Sequence, residues 1–508
     1  MSKKKNKRAL NGHLPKKNVD LRETITDWYV VLMLLVYCLW CPEGLISVER
    51  PKFVFFAAVT LVWFVLLVLF SLVEEPPTGF FTPAHISALV FAAVCFLSAI
   101  FSSFDFSEII IGHRYTGLLT QLLLAMILIG VSWFGHCKEH HFIAFGISIT
   151  ILTIICILQK LGINVFHLYP GDSTYYYYPS FLGTIGNIDT LEAPISLAVP
   201  LFLGLFVKRE APYDKTYLIP LFFSSLLLTL GGAESALLGV AVVFVVTPAL
   251  LIRSMKDLRR TLGGTALALT GVALGSVMRR CIAVRNGVLI LHFNFGTLPV
   301  VCLVLAAVFG AAFWLLQFVR REPSGHMFRN AFIIVAVVCV VGTLTVVWFW
   351  PGESGTVYEA SQILHGNIED SYGNDRIGIW RVTLTNVPEA PLLGGGPGTL
   401  YLRTVKTLTG GAVARLAHNA YLQYLVDTGI LGLLSYLAVI ITSVFVRRRD
   451  QWKQVCVGLI LAALSYAVQD FFNLGVPVAS PFFWIVLGLL QTETHKKPST
   501  AMKGKGNI

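Results

Sequence analysis

Apolar blocks of about 16 to 23 residues recur along this chain, separated by short polar turns. Each is close to the length a helix needs to cross a hydrocarbon core. A chain of this kind has few solutions, because every backbone N–H and C=O inside lipid must be satisfied within its own segment. Charged residues make up only 13% of the sequence, against about 25% for a soluble domain. The expectation is an all-α polytopic membrane protein with about 12–14 transmembrane helices and one large extracytoplasmic loop containing short amphipathic helices. Fourteen candidate spans fall at 28–42, 52–73, 83–102, 116–135, 142–161, 189–207, 216–231, 233–252, 261–278, 297–319, 329–350, 429–446, 453–470 and 479–491.

The net charge of +11 invites a nucleic-acid reading, but its distribution argues against one. Lysine and arginine gather in the N-terminal tail, at Lys208 and Arg209, from Arg253 to Arg260, at Arg320 and Arg321, from Arg447 to Arg449, and beyond Lys496. With fourteen spans all of these clusters lie on one side, so the positive-inside bias places both termini in the cytoplasm of a multi-pass protein of the cytoplasmic membrane. The expected organisation is a basic tail at 1–27, eleven helices over 28–350, an extracytoplasmic catalytic loop at 351–428, C-terminal helices over 429–491 and a tail at 492–508. The first span follows a long basic tail and precedes no small-residue cleavage site, so no cleavable leader is expected. Cys38 and Cys41 have CxxC spacing but sit in an apolar helix, where packing is their role.

The long polar interval holds the residues suited to chemistry. Asn374 is placed to cap a helix from about Asp375 to Val387, with Ile377, Trp380, Leu384 and Val387 forming an apolar stripe. Such a helix suits the outer membrane surface, with Trp380 at headgroup depth. Gly394-Gly395-Gly396-Pro397-Gly398 lets backbone approach a ligand and leaves N–H groups to face an anion, although a flexible loop has the same composition. Arg376, Arg381 and Arg415 supply permanent charge and forked donors for a lipid-linked phosphate or diphosphate. His418 can accept a hydroxyl proton near neutrality. Taken alone, a histidine at a loop-to-helix junction is an ordinary cap or surface residue.

His418-Asn419-x-Tyr421-Leu422-Gln423-x-Leu425, followed by Gly429-x-x-Gly432-Leu433-Leu434, resembles the C-terminal signature of the O-antigen ligase and O-antigen polymerase superfamily. Arg376-x-x-x-Trp380, Pro391-Leu392-Leu393-Gly394-x-Gly396 and Gly398-Thr399 look like that family's extracytoplasmic loop, in the same order. Gly183-Thr184-Ile185-Gly186-Asn187, Arg114-Tyr115-x-Gly117-Leu118-Leu119-Thr120 and Gln469-x-Phe471-Phe472-Asn473 with Pro481-x-Phe483-Trp484 also look like family segments. The resemblance implies an inverting, metal-independent membrane glycosyltransferase without a cofactor. Its donor would be a glycan on undecaprenyl diphosphate, and its acceptor a hydroxyl on a glycan, lipid or protein. His418 would stand at the base position and Arg376 at a diphosphate-binding one. Arg381, Arg415, Arg114, Asn187, Trp380, Asn419 and Gly398 would line the substrate site. A family arginine expected in a Ser-Arg-Gly-like run has no counterpart in Thr229-Leu230-Gly231-Gly232-Ala233-Glu234-Ser235. Arg114 or one of Arg279, Arg280 and Arg285 would have to replace it. Ligase and polymerase use the same loop and are not separated by these motifs.

Other readings carry less. The run His136 to His141 is too crowded for one tetrahedral site and reads as a polar turn. Tyr175 to Tyr178 suit stacking on sugars or an interfacial aromatic belt. Glu192 and Glu234 fall near span boundaries, facing a polar cavity or the interface. His365 has no signature around it, and Glu369, Asp370, Asp375 or, with a chain turn, Asp427 are candidates to orient His418. A transporter of an anionic or polyprenyl-linked solute is the competing class, but it calls for ionisable residues near mid-membrane and paired broken helices, whereas the polar weight here lies in one loop.

Overall fold

The computed structural model describes residues 20–75, 81–169, 181–208, 214–232, 234–285, 288–320, 325–406, 415–446, 454–473 and 475–492. The chain is an all-α polytopic membrane protein. In order, its helices are α1 (Leu21–Val31, prolonged by a π turn over Leu32–Tyr37), α2 (Glu49–Ser71), α3 (Pro83–Ile100), α4 (Phe106–Ile111), α5 (Leu118–Phe134), α6 (Glu139–Lys160), α7 (Ile188–Lys208), α8 (Leu218–Leu230) and α9 (Glu234–Leu251). There follow α10 (Met255–Cys281), α11 (Thr297–Leu316), α12 (Gly325–Trp348), α13 (Thr356–Leu364), α14 (Arg376–Thr385), α15 (Leu400–Lys406), α16 (Ala420–Phe445), α17 (Gln454–Gln469) and α18 (Ser480–Gln491). Strand among the described residues is confined to two antiparallel hairpins, 181–187 and 282–291.

Nine of these helices are long and apolar enough to cross a membrane: α2, α3, α6, α7, α9, α10, α11, Asn330–Trp348 within α12, and α16. The other five expected spans are shorter or broken. The fourth, expected at 116–135, is α5 (Leu118–Phe134), which meets a preceding helical piece, Phe106–Tyr115, at 70°. Positive φ at Gly112, Arg114 and Tyr115 makes that corner. α8, α17 and α18 have 13, 16 and 12 residues. Half-length helices are tolerated where protein rather than lipid covers their ends, and every residue of α18 is buried.

Helix ends are closed as their sequences suggest. Asp20 accepts from the Arg22 amide, and Thr82 with Pro83 opens α3 through a reciprocal box with His85. Ser254 accepts from the Asp257 amide at 3.2 Å. Lys52, fully buried, donates to the carbonyls of Tyr37 and Cys38 at 2.7 and 3.3 Å, at the end of the π turn.

The centre of the bundle is α7, in which 94% of the spanning window is buried. It packs on α17, α8, α9 and α10. Small residues make this possible, since without a hydrophobic force between helices in lipid, close backbone approach supplies the attraction. A Cβ on Gly204 would lie 2.5 Å from the Gly458 Cα, so α7 and α17 touch main chain to main chain. Gly204→Leu is therefore expected to push the pair apart and cost at least the 1–3 kcal/mol typical of overpacking, about. A lowered melting temperature of the detergent-solubilised protein checks this; an unchanged one contradicts the packing.

Candidate active site at one end of the bundle

The polar interval is built around a break in α16. Gly429 leaves the helical region (φ 68°, ψ −173°), and the main-chain groups released there are taken by residues 391–398. The amides of Ile430 and Leu431 donate to the carbonyls of Pro391 and Leu392 at 2.9 and 3.3 Å. In return Gly395 and Gly396 donate to the carbonyls of Val426 and Asp427 at 3.2 and 2.8 Å. The Asp427 carboxylate accepts from the Gly398 and Leu400 amides at 2.9 and 3.1 Å and from Gln423 Nε2 at 2.7 Å. A Cβ on Gly429 would lie 2.2 Å from the Leu392 oxygen, and one on Gly394 2.4 Å from the Asp427 oxygen. This corrects two expectations. The glycine run is not a flexible loop, and its amides do not stay available for a ligand: the anion that the Gly398 N–H faces is Asp427. Asp427 itself orients the loop rather than His418.

Arg403 completes this frame. Buried, it donates to the Val426 carbonyl at 2.9 Å, to the Asn386 carbonyl, and pairs with Glu389 at 3.0 Å. It ties the end of α14 and the helix α15 to α16.

His418 lies just before α16, where Asn419 caps the helix by accepting from the Leu422 amide at 3.0 Å. The His418 backbone is left-handed, φ 47°, a conformation a non-glycine residue keeps only when its surroundings impose it. On one side the Ala417 amide is held by Gln423 Oε1 at 2.9 Å, and on the other Asn419 is fixed in its cap. The imidazole Nδ1 is buried without a hydrogen bond and points at Asp189, whose Oδ2 is 3.7 Å away. The other oxygen, Oδ1, lies 3.5 Å from Arg376 Nη2. Residues from three distant parts of the chain thus meet on one carboxylate. Burial pulls the imidazole pKa down, Asp189 opposes that shift, and the Arg376 and Arg114 guanidiniums reinforce it.

Asp189 begins α7. Its amide donates to Asn187 Oδ1 at 2.9 Å and its carbonyl accepts from Asn473 Nδ2 at 2.6 Å. Asn187 and Asn473 therefore hold the backbone that carries the acid. Arg114, in the corner between α4 and α5, donates through Nε to Glu49 at 2.7 Å and acts on His418 electrostatically.

The helix expected at about Asp375 to Val387 is α14, shorter at both ends. Asn374 does not cap it: Asn374 and Asp375 both have positive φ, and the N-cap position is Asp375, whose side chain makes no capping bond. Nor does the apolar stripe define its packed face. Thr383 is fully buried, its hydroxyl donating to the Ile379 carbonyl at 2.8 Å, while Leu384 is 47% exposed. Trp380 packs in protein, its ring 5.7 Å from Phe471 and 6.0 Å from Phe472. Arg381 is five residues beyond Arg376, well round the helix from it, and forms an exposed pair with Asp370 at 3.0 Å. Arg415 is exposed and acts on His113. His365 lies against Trp348, with Nδ1 on the Ser361 carbonyl.

Residues 301–437 match the family described as O-antigen ligase, a stretch that contains Arg376, Trp380, Arg381, Gly398, Arg415, His418 and Asn419. Over that stretch the chain is similar to the O-antigen ligase/polymerase superfamily, as its motifs led one to expect. The match supports an O-antigen ligase/polymerase-like function on glycans, of glycosyltransferase-like type, in an integral membrane protein. No curated protein matches the chain.

The ligase-family stretch stops short of Asp189, which sequence reasoning passed over in favour of acids nearer His418 in number. The available signal was an acid in the first turn of an apolar span, directly after Gly186-Asn187-Ile188. Arg403 was missed as well. Of the cations named to replace the absent family arginine, Arg114 acts on His418. Arg279 lies over the Gly231-Gly232 turn, where a Cβ on Gly232 would come within 2.6 Å of its guanidinium carbon. Arg280 lies against Gly296, and the Arg285 side chain and Tyr175 to Tyr178 lie outside the described residues. At the other cluster, Asp27 Oδ1 receives His140 Nε2 and His141 Nε2 at 2.8 and 2.7 Å with Lys138 at 3.4 Å, clamping α1 to α6. His141 Nδ1 accepts from the Lys138 amide, which leaves its proton on the nitrogen that faces Asp27.

Because exposed ion pairs contribute little, about 0–1 kcal/mol, Arg381→Ala is expected to keep glycan transfer within about fivefold of wild type. A loss as large as that of Arg376→Ala in the same assay would show that Arg381 reaches the substrate.

Proposed function

We propose that this protein is a glycosyltransferase of the cytoplasmic membrane, with both termini in the cytoplasm. It moves a glycan from undecaprenyl diphosphate onto an acceptor hydroxyl at the outer face, as a ligase or, with a second carrier-linked glycan as acceptor, as a polymerase. The observation that carries this reading is the convergence of His418 and Arg376 on the two oxygens of Asp189, at 3.7 and 3.5 Å. An imidazole and a guanidinium in one half-buried recess are the base and the cation that such a transfer requires.

With Nδ1 turned to Asp189, Nε2 is the nitrogen that takes the acceptor proton. The acceptor oxygen bonds to the anomeric carbon from the face opposite the diphosphate, so configuration inverts. The anomeric C–O bond breaks, and its electron pair stays on the departing undecaprenyl diphosphate, whose growing charge Arg376 stabilises with Arg114 nearby. Lowered basicity of His418 suits this step, since it keeps the ring neutral and ready at physiological pH.

Purified protein in lipid nanodiscs, given an undecaprenyl-diphosphate glycan and a panel of acceptors, is expected to release undecaprenyl diphosphate and form a longer or newly attached glycan. His418→Ala should lower the rate at least about a hundredfold while the protein stays monodisperse. Normal transfer by that variant refutes the assignment. Only the neutral imidazole accepts a proton, so kcat/KM for the donor should rise with pH on the acidic side. Its midpoint should fall below the ordinary histidine value of 6.5; a midpoint above that value contradicts the proposed environment.

A further inference from the structure

We infer that Asp189 is a shared carboxylate that donor binding transfers from Arg376 to His418, so that the acceptor base is strengthened only once the diphosphate is in place. This rests on the proposed glycosyl transfer and adds an order of events to it.

Neither of the two contacts is short: Arg376 Nη2 donates to Oδ1 in a long hydrogen bond, and His418 Nδ1 makes none. A charge-assisted N–H···O bond is about 2.7–2.9 Å long, and Asp189 stands at 3.5 Å from Arg376 and 3.7 Å from His418. Its main chain has no freedom to choose between them. Asn187 and Asn473 grip the amide and the carbonyl at 2.9 and 2.6 Å, and the helix that follows is the most buried in the bundle. What remains is side-chain rotation of the carboxylate between two partners. His418 is fixed on its own side by its imposed backbone and by Asn419, so its buried, unpartnered Nδ1 waits for an acceptor.

The surrounding charges decide which partner wins. His418 faces Asp189 from α7, Arg376 from α14 and Arg114 from the α4–α5 corner; Arg114 in turn holds Glu49 of α2. Glu192, buried one turn along α7 with its Oε2 lacking a hydrogen bond, is a second carboxylate close enough to interact with Asp189. With no donor bound, Arg376 draws the carboxylate. A diphosphate brings more negative charge and several oxygens to the guanidinium, and like charge drives Asp189 away from it. The carboxylate then accepts the Nδ1–H of His418. That bond places the lone pair on Nε2 and stabilises the imidazolium formed when the acceptor proton arrives. The acceptor proton remains on Nε2 and is not passed on to the carboxylate. Asp189 is thus a positioning residue, acting through His418.

The test is Asp189→Asn, with wild type and His418→Ala as references in the same nanodiscs. Removing a competitor for Arg376 should tighten binding of undecaprenyl diphosphate by about threefold or more, while removing the partner of Nδ1 lowers kcat by at least about tenfold. The acidic limb of kcat should also move to lower pH, because Asp189 is the group that raises the His418 pKa. A carboxylate with a purely structural role would weaken both parameters together and leave the limb in place. Weaker or unchanged diphosphate binding, or wild-type kcat, overturns the inference. Should Asp189→Asn fail to fold, Asp189→Glu keeps the charge and is expected to retain the wild-type pH limb with reduced kcat; a displaced limb overturns the inference equally. If wild-type protein forms no product, it is the glycosyltransferase reading that has failed rather than the exchange.

Discussion

Main-chain contact between α7 and α17 at Gly204 and Gly458 is what the site depends on. A helix seated that deeply presents the residues of its first turn at a fixed place, and Asp189 is one of them. Arg376 comes from a short helix outside the bundle, and His418 from a strained junction; neither would hold its position alone. One carboxylate on an immobile helix gives both of them a common reference. Function here is positioned by burial on one side and by charge on the other.

The polar interval is rigid for a different reason. Lipid-facing helices leave no main-chain group unpaired, so a helix can be broken only where something else completes its bonds. Residues 391–398 do this at Gly429, and Asp427 and Arg403 secure the same segment by their side chains. The glycines in this region are required because two backbones meet there, with no room for a Cβ.

Much of the fold was legible because it is written in local pattern. Each expected apolar block corresponds to a helix, and the loop-to-helix junction carrying His418-Asn419 lies where the motif put it. What was not legible involves partners far apart in the chain. Asp189 is nearly two hundred residues from Arg376, and no periodicity links them; acids close to His418 in number drew attention instead. The expected segments 216–231, 453–470 and 479–491 are the short helices α8, α17 and α18, and hydropathy cannot tell whether lipid or protein covers an apolar helix. The 282–291 hairpin was missed although Asn286-Gly287 between apolar runs is a strong local signal for one; it was masked by the surrounding hydropathy. On α14 the stripe misled, since Thr383 satisfies its hydroxyl on its own helix and so packs as well as an apolar residue.

The interlocked bonds at Gly429 have a bearing on how this architecture can be recombined. Segments 391–398 and 426–431 form a single unit of main-chain pairing though they are separated in sequence. A chimera that takes one from a relative and leaves the other behind would inherit mismatched halves of a joint, however similar their side chains. Loop grafting between such proteins must move both stretches together, or the recipient helix loses the support that lets it bend.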